Sequence, residues 1–255
     1  MTFDLVGYTE RVAPAIVLVV ALYVVLRGEK ALPLRIMAVV IGFLIIRDNL
    51  VSFGVWGYGL AHGWLPYVRF LHEPVLVAGF AVGSILTTVF LVLIEFDGRK
   101  LLVWGRFSWR SVVWGLGGGV VVAGALTVAY QFVPLAERGG SLPHDMLWPM
   151  VAVAIFGNLT EDILVRGYIQ GYLSAALSPV KAAIGSGLFY AFCHLFLALE
   201  ITTVFPQPGL HLGVPVLVFA LFDGLVCAFV RMKVGLIPAA VSHGMGVLVL
   251  ATGLI

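Results

Sequence analysis

Long, nearly uninterrupted apolar runs recur along the whole chain and constrain its fold more than any other feature. Eight can be drawn, over 9–26, 34–56, 75–95, 111–130, 147–172, 182–203, 213–230 and 234–254. Each is long enough to cross a hydrocarbon layer of about 30 Å, some of them with tilt. None alternates with period two, and backbone polar groups in lipid need internal partners, so helices are expected and not a barrel. Composition closes the soluble alternative. Only 11% of the 255 residues are charged and 61% are hydrophobic, against about a quarter charged in soluble domains. The expected fold class is all-α, a polytopic helical membrane protein of about eight spans with an intramembrane cavity, in one integral membrane domain over 1–255.

Charge between the spans predicts orientation. With the N-terminus outside, the cytoplasmic segments carry Arg27, Lys30, Arg35, Arg99, Lys100, Arg106, Arg110, Lys181, Arg231 and Lys233, and the other side only Arg11, Arg69 and Arg138. That is the asymmetry of the positive-inside rule. Trp64, Tyr67, Trp104, Trp109 and Trp148 stand near span ends, where interfacial aromatics belong. Arg47, Asp48 and Asn49 interrupt the second run, which reads as a shorter span followed by an interfacial segment up to Pro66. Gly115 with Gly119, and Gly167 with Gly171, have the spacing of close helix contacts. Cys193 and Cys227 lie inside spans, so no disulfide framework is expected. A net charge of +2 argues against a nucleic-acid partner. The first run reads as a retained span, not a signal peptide, and the short loops favour a prokaryotic plasma membrane.

Ionisable side chains inside spans are costly, about 2.5–3.5 kcal/mol each at a helix centre, so each needs a reason. Glu161, His194, Asp223 and His243 stand in four separate spans, each within about one helical turn of the bilayer centre. Asp162 and Arg166 are four apart on one helix face and can pair as a structural unit. Glu161 points about 100° away and needs a partner from another span, for which His194 is the best candidate. A carboxylate and a neutral histidine that share a water make a nucleophile, and a second histidine can donate to the oxyanion. Glu161, His194 and His243 supply these parts. Three other readings use the same residues: a structural hydrogen-bond network, a zinc site on Glu161, His194 and His243, and a proton relay in a small transporter. Asp223 has no assigned partner and reads as structural, Glu200 could stand at a cavity mouth, and Arg47 with Asp48 reads as a local polar kink.

These motifs resemble the CAAX-protease and bacteriocin-processing family of intramembrane endopeptidases. Glu161-Asp162-Ile-Leu-Val-Arg166 stands where that family has Glu-Glu-x-x-x-Arg. Tyr190-Ala-Phe-Cys-His194 stands where it has Phe-x-x-x-His, and His243 opens its His-x-x-x-Asn or Asp. The resemblance covers roughly 147–250, and 1–146 carries no motif of it. It implies an eight-helix fold with a conical cavity open to membrane and cytosol. It implies that Glu161 and His194 activate water, that His243 helps bind the oxyanion, and that Asp162, Arg166 and Tyr190 support them. It implies no metal, and a membrane-associated peptide or protein as substrate, such as a prenylated C-terminus, a bacteriocin-like peptide or a signalling peptide. Three positions depart from the pattern: Asp162, Tyr190 and Val247, the last standing where Asn or Asp would donate a second hydrogen bond. Ser242, Asn158 or a backbone group could replace that donor, or the chain could be an inactive relative that binds a peptide partner.

Overall fold

The computed structural model describes residues 5–26, 28, 31–51, 56–70, 73–95, 97–137, 143–204 and 213–252. Arg27, Lys30 and Arg138 lie outside the described residues, as do the side chains of Arg11, Arg47, Asp48, Asn49 and Glu200. The helices are α1 (Leu5–Leu26), α2 (Leu32–Val51), α3 (Pro74–Ile94), α4 (Trp109–Tyr130), α5 (His144–Ala176), α6 (Pro179–Cys193), α7 (Leu195–Val204), α8 (Gly213–Val234) and α9 (Leu236–Thr252). The apolar runs therefore become helices, with ends displaced by a few residues. By length and hydropathy, four described helices (α3, α4, α5 and α8) are long enough to cross a membrane, or five if α6 and α7 form one bent span. The expected number of eight is not reached by this criterion. α9 is a shorter apolar helix, as is Leu32–Ile45 within α2.

The segment expected to lie at the interface after the second run is a β-hairpin. β1 (Trp56–Ala61) pairs antiparallel with β2 (Leu65–Phe70), Tyr58 opposite Val68 and Ala61 opposite Leu65. Its turn runs through His62 at φ 54° and Gly63 at φ 74°, left-handed positions that a helix cannot use. Trp64, expected at a span end, belongs to this turn and is exposed. The hairpin is fastened to the far end of α4. The Tyr130 hydroxyl donates to Val68 O at 2.9 Å and accepts from Val68 N–H at 2.7 Å, while Arg69 Nη1 donates to Glu137 O at 3.3 Å.

A strap closes the opposite face. It follows α3 as a 3₁₀ turn (Asp97–Leu101) and an extended run to Ser108, the N-cap of α4. Leu236 N–H donates to Val103 O at 2.8 Å and Ile237 N–H to Trp104 O at 3.1 Å, tying the start of α9 to the strap. Gly105 (φ 89°) and Gly235 (φ 107°) meet there, and a Cβ on either would strike the backbone of the other's segment. Arg231 crosses to the same strap, donating from Nη2 to Leu101 O at 3.2 Å. Of the glycine pairs, Gly115 and Gly119 do let another helix approach, since their open faces meet Pro238 and Met245 of α9. Gly167 and Gly171 instead receive Leu102 and Leu101 of the strap.

Candidate active site

The centre of α5 is not regular helix. One α-turn, Leu159–Asp162, lies between two wide π segments, Val153–Gly157 and Ile163–Ile169. Wide turns of this kind concentrate at functional sites because they redirect side chains. Asn158, between the first π segment and the α-turn, has φ −100° and ψ 7°. His194 repeats that backbone, φ −97° and ψ 3°, at the break between α6 and α7, which meet at 43°. The run expected to be one continuous span over 182–203 is therefore kinked at its histidine.

The back of the α5 turn is fastened to α3. Thr160 is buried and its hydroxyl donates to Ser84 O at 3.0 Å, with Ser84 Oγ at 3.2 Å and Thr88 Oγ1 at 3.1 Å. Glu161 and Asp162 are consequently held buried in the helix bundle. Asp162 Oδ1 lies 3.4 Å from Arg166 Nη1, the i,i+4 pair expected from spacing. Its Oδ2 accepts from His243 Nδ1 at 3.3 Å. Arg166 is fully buried, and its Nη2 lies 3.5 Å from Asp223 Oδ2. Its guanidinium carbon stands 3.8 Å from the centroid of the Tyr190 ring.

Tyr190 joins the two histidines. Its carbonyl accepts from His194 Nδ1–H at 3.0 Å, which puts the lone pair of the neutral ring on Nε2. Its hydroxyl lies 3.1 Å from His243 Nε2, and the two rings meet edge-on at 90°. Here the tyrosine hydroxyl finds the partner that a buried Tyr requires. Asp223 is not the unpartnered residue that the sequence suggested. Besides Arg166 it has His243 Nε2 at 3.6 Å and accepts from the Cys227 thiol at 3.3 Å.

Glu161, His194 and His243 line one cavity of about 260 Å³, together with Asn158, Tyr190 and Asp223. The rest of its wall is apolar and comes from the hairpin and from the ends of α4, α7, α8 and α9 that share its face, including Leu65, Leu126, Ile201, Val216 and Leu250. The cavity thus extends toward the hairpin face, away from the strap. If the cytosol is on the basic strap side, as loop charge predicts, the expected opening of this cavity to the cytosol is reversed. A second groove of about 340 Å³ lies between α5 and α9, and Asp162 is its one ionisable wall residue.

Val247 also lines the first cavity, where it packs with Val77, Met146, Met150 and Val153. Ser242 is not its substitute, because its hydroxyl donates away from the cavity, to Gly115 O at 2.8 Å and Pro238 O at 3.1 Å. The residues proposed for zinc do not fit a metal site. Both His243 nitrogens face protein partners, and among the described residues no three His, Cys, Asp or Glu side chains group to hold an ion. Sequence reasoning missed the Ser84, Thr88 and Thr160 cluster and the buried Gln170, whose amide donates to Ala228 O at 2.8 Å. Small hydroxyls are common in membrane helices, so nothing in the sequence singled these out. For Asp223 the available signal was charge balance, since Asp162 and Asp223 exceed the lone Arg166.

A helical membrane protein with a buried Glu, Asp, Arg and His constellation facing an apolar cavity is the class these features define. Residues 143–249 match the family model of type II CAAX prenyl endopeptidase Rce1-like proteins. That match supports membership of the CAAX-protease and bacteriocin-processing family, a family of membrane proteases, and with it a peptidase role. No curated protein and no solved structure matches the chain.

Proposed function

We propose that the protein is an intramembrane endopeptidase that hydrolyses a peptide bond in a membrane-associated protein or peptide, without a metal. The observation that carries this reading is the shared cavity of Glu161 and His194, with the His194 tautomer set by the Tyr190 carbonyl. His194 Nε2 accepts a hydrogen bond from the attacking water, and Glu161 takes its proton as the oxygen bonds to the scissile carbonyl carbon. The carbonyl oxygen becomes an oxyanion on the His243 side of the cavity. Glu161 then returns the proton to the amide nitrogen, and the C–N bond breaks. The acid that keeps water's second proton leaves with the amine, that proton passing to the amine to give a carboxylate and an ammonium.

Cleavage of a quenched fluorescent membrane peptide by the purified protein tests the reading. Glu161→Ala and His194→Ala should each lower kcat by about 10²–10⁴-fold, the range for loss of general acid–base catalysis. Full activity should persist in EDTA, and loss of activity that zinc restores would replace this mechanism with a metal one. Cleavage that survives both substitutions would sink the assignment of the base. The apolar setting of Val247 favours a second reading, a non-catalytic relative that binds a membrane peptide. Binding of the peptide without cleavage would select it.

A further inference from the structure

We propose that Tyr190 is a catalytic residue whose hydroxyl donates the oxyanion hydrogen bond that Val247 cannot supply. The inference rests on the peptidase reading and names a residue for which that reading has no chemical role. Two departures from the family pattern stand on the walls of one cavity: a side chain without a donor at Val247, and an added hydroxyl at Tyr190. Of the two alternative side-chain donors, Ser242 faces α4, and Asn158 lines the cavity but has no hydroxyl polarised by His243.

The bonding of His243 sets the direction of the Tyr190 hydroxyl. Two carboxylates flank its ring, Asp162 Oδ2 at 3.3 Å from Nδ1 and Asp223 Oδ2 at 3.6 Å from Nε2. Arg166 is the other cation that both carboxylates touch, at 3.4 and 3.5 Å. With Glu161 on the same cavity, three buried carboxylates stand against one guanidinium, and the two that flank His243 are matched by an imidazolium there. Both ring nitrogens then donate, Nδ1–H to Asp162 and Nε2–H to the Tyr190 oxygen. The tyrosine's own proton is left to point elsewhere, and its side chain lines the cavity.

A hydroxyl that accepts from a cation is polarised and becomes a stronger donor. It is also fixed in place. Tyr190 is 4% exposed, its ring is held against Arg166, and its backbone carbonyl is bonded to His194. A donor held in position before charge develops is what oxyanion stabilisation needs. His243 then acts through Tyr190, while Tyr190 meets the oxyanion.

The test compares wild type, Glu161→Gln, Tyr190→Phe, Val247→Asn and the double variant Tyr190→Phe/Val247→Asn on one fluorogenic membrane peptide, with thermal melting of each. Loss of one oxyanion donor typically lowers kcat by about 10²–10³-fold, and that is the effect expected of Tyr190→Phe, with KM nearly unchanged. Val247→Asn, which rebuilds the family donor, should restore at least about tenfold of the loss in the double variant. A fluorinated tyrosine at 190, nearly isosteric, should alter kcat with the acidity of its hydroxyl; this arm stands even if the asparagine variant misfolds. If Tyr190→Phe keeps wild-type kcat while Glu161→Gln is inactive, the proposal falls and the peptidase reading stands. A loss confined to KM, or a kcat indifferent to fluorination, also overturns it. No cleavage by wild type removes both.

Discussion

Arg166 makes the strongest demand of any single residue in this molecule. Its guanidinium is fully buried, has ion pairs at 3.4 and 3.5 Å, and covers the face of Tyr190. Those pair distances are longer than good hydrogen bonds, and its three side-chain nitrogens have no hydrogen-bond partner among the described residues. The guanidinium is therefore held by charge and by the aromatic face more than by directed donors. Removing it leaves Asp162 and Asp223 buried with only His243 between them. Breaking a buried ion pair from one side costs about 3–5 kcal/mol, so Arg166→Leu should lose stability of that order, read as a lower midpoint in SDS or thermal unfolding. Arg166→Lys keeps the charge but not the flat surface that stacks on Tyr190, and should fall between. An Arg166→Leu variant as stable as wild type would show that the cluster is not a structural unit.

At the scale of elements, α5 depends on its α3 contact to aim Glu161. Thr160→Val removes the bonds to Ser84 and Thr88 while keeping the shape of the side chain. Polar contacts between membrane helices are worth about 0.6 kcal/mol on average and at most about 2, so the variant should fold with a small loss of stability. A fall in kcat larger than that loss would show the turn re-aimed. Gly235→Ala should be worse than Thr160→Val, since it adds a Cβ at φ 107° against the Gly105 backbone. The same elements show what a sequence can reveal. Helix positions follow from apolar runs, and the Asp162–Arg166 pair follows from i,i+4 spacing, because both are local. The π segments and the break at His194 are invisible to that reasoning. They arise where side-chain bonds compete with regular helix bonding, Thr160 reaching across to α3 and His194 Nδ1 taking the Tyr190 carbonyl four residues back. The hairpin was hidden for a different reason: its Trp, Tyr, Leu and Val residues extend an apolar run, and the His62–Gly63 turn with Gly57, Gly59 and Pro66 is what separates it from a helix. Glu161, His194 and His243 could be grouped in advance from their shared depth, whereas Asp223 and the Tyr190 hydroxyl acquire partners only once α6, α8 and α9 are assembled.

For the molecule as a whole, the distribution of charge and the position of the cavity point to one side of the membrane. Arg35, Arg99, Lys100, Arg106, Arg110, Lys181, Arg231 and Lys233 are all on the strap side, whereas Arg69 is the described basic residue at the hairpin. The positive-inside rule predicts that the strap faces the cytoplasm. The hairpin then faces outward, and the cavity leading down to Glu161 is reached from the non-cytoplasmic side or from the lipid of that half. A peptide cleaved there would be anchored with its scissile bond in the outer half of the bilayer, a topology opposite to the cytosolic access that family resemblance implies. Cysteine labelling tests this independently of catalysis. The native Cys193 and Cys227 are buried, so the parent chain should stay unlabelled by a membrane-impermeant maleimide. His62→Cys, at the exposed hairpin turn, should react in intact cells, and Lys100→Cys, on the strap, only after permeabilisation. Leu197→Cys, in the cavity wall, should react from the outside with a small impermeant thiosulfonate and be protected by bound substrate peptide. Labelling of Lys100→Cys but not His62→Cys in intact cells would invert the orientation and return the cavity to the cytosol.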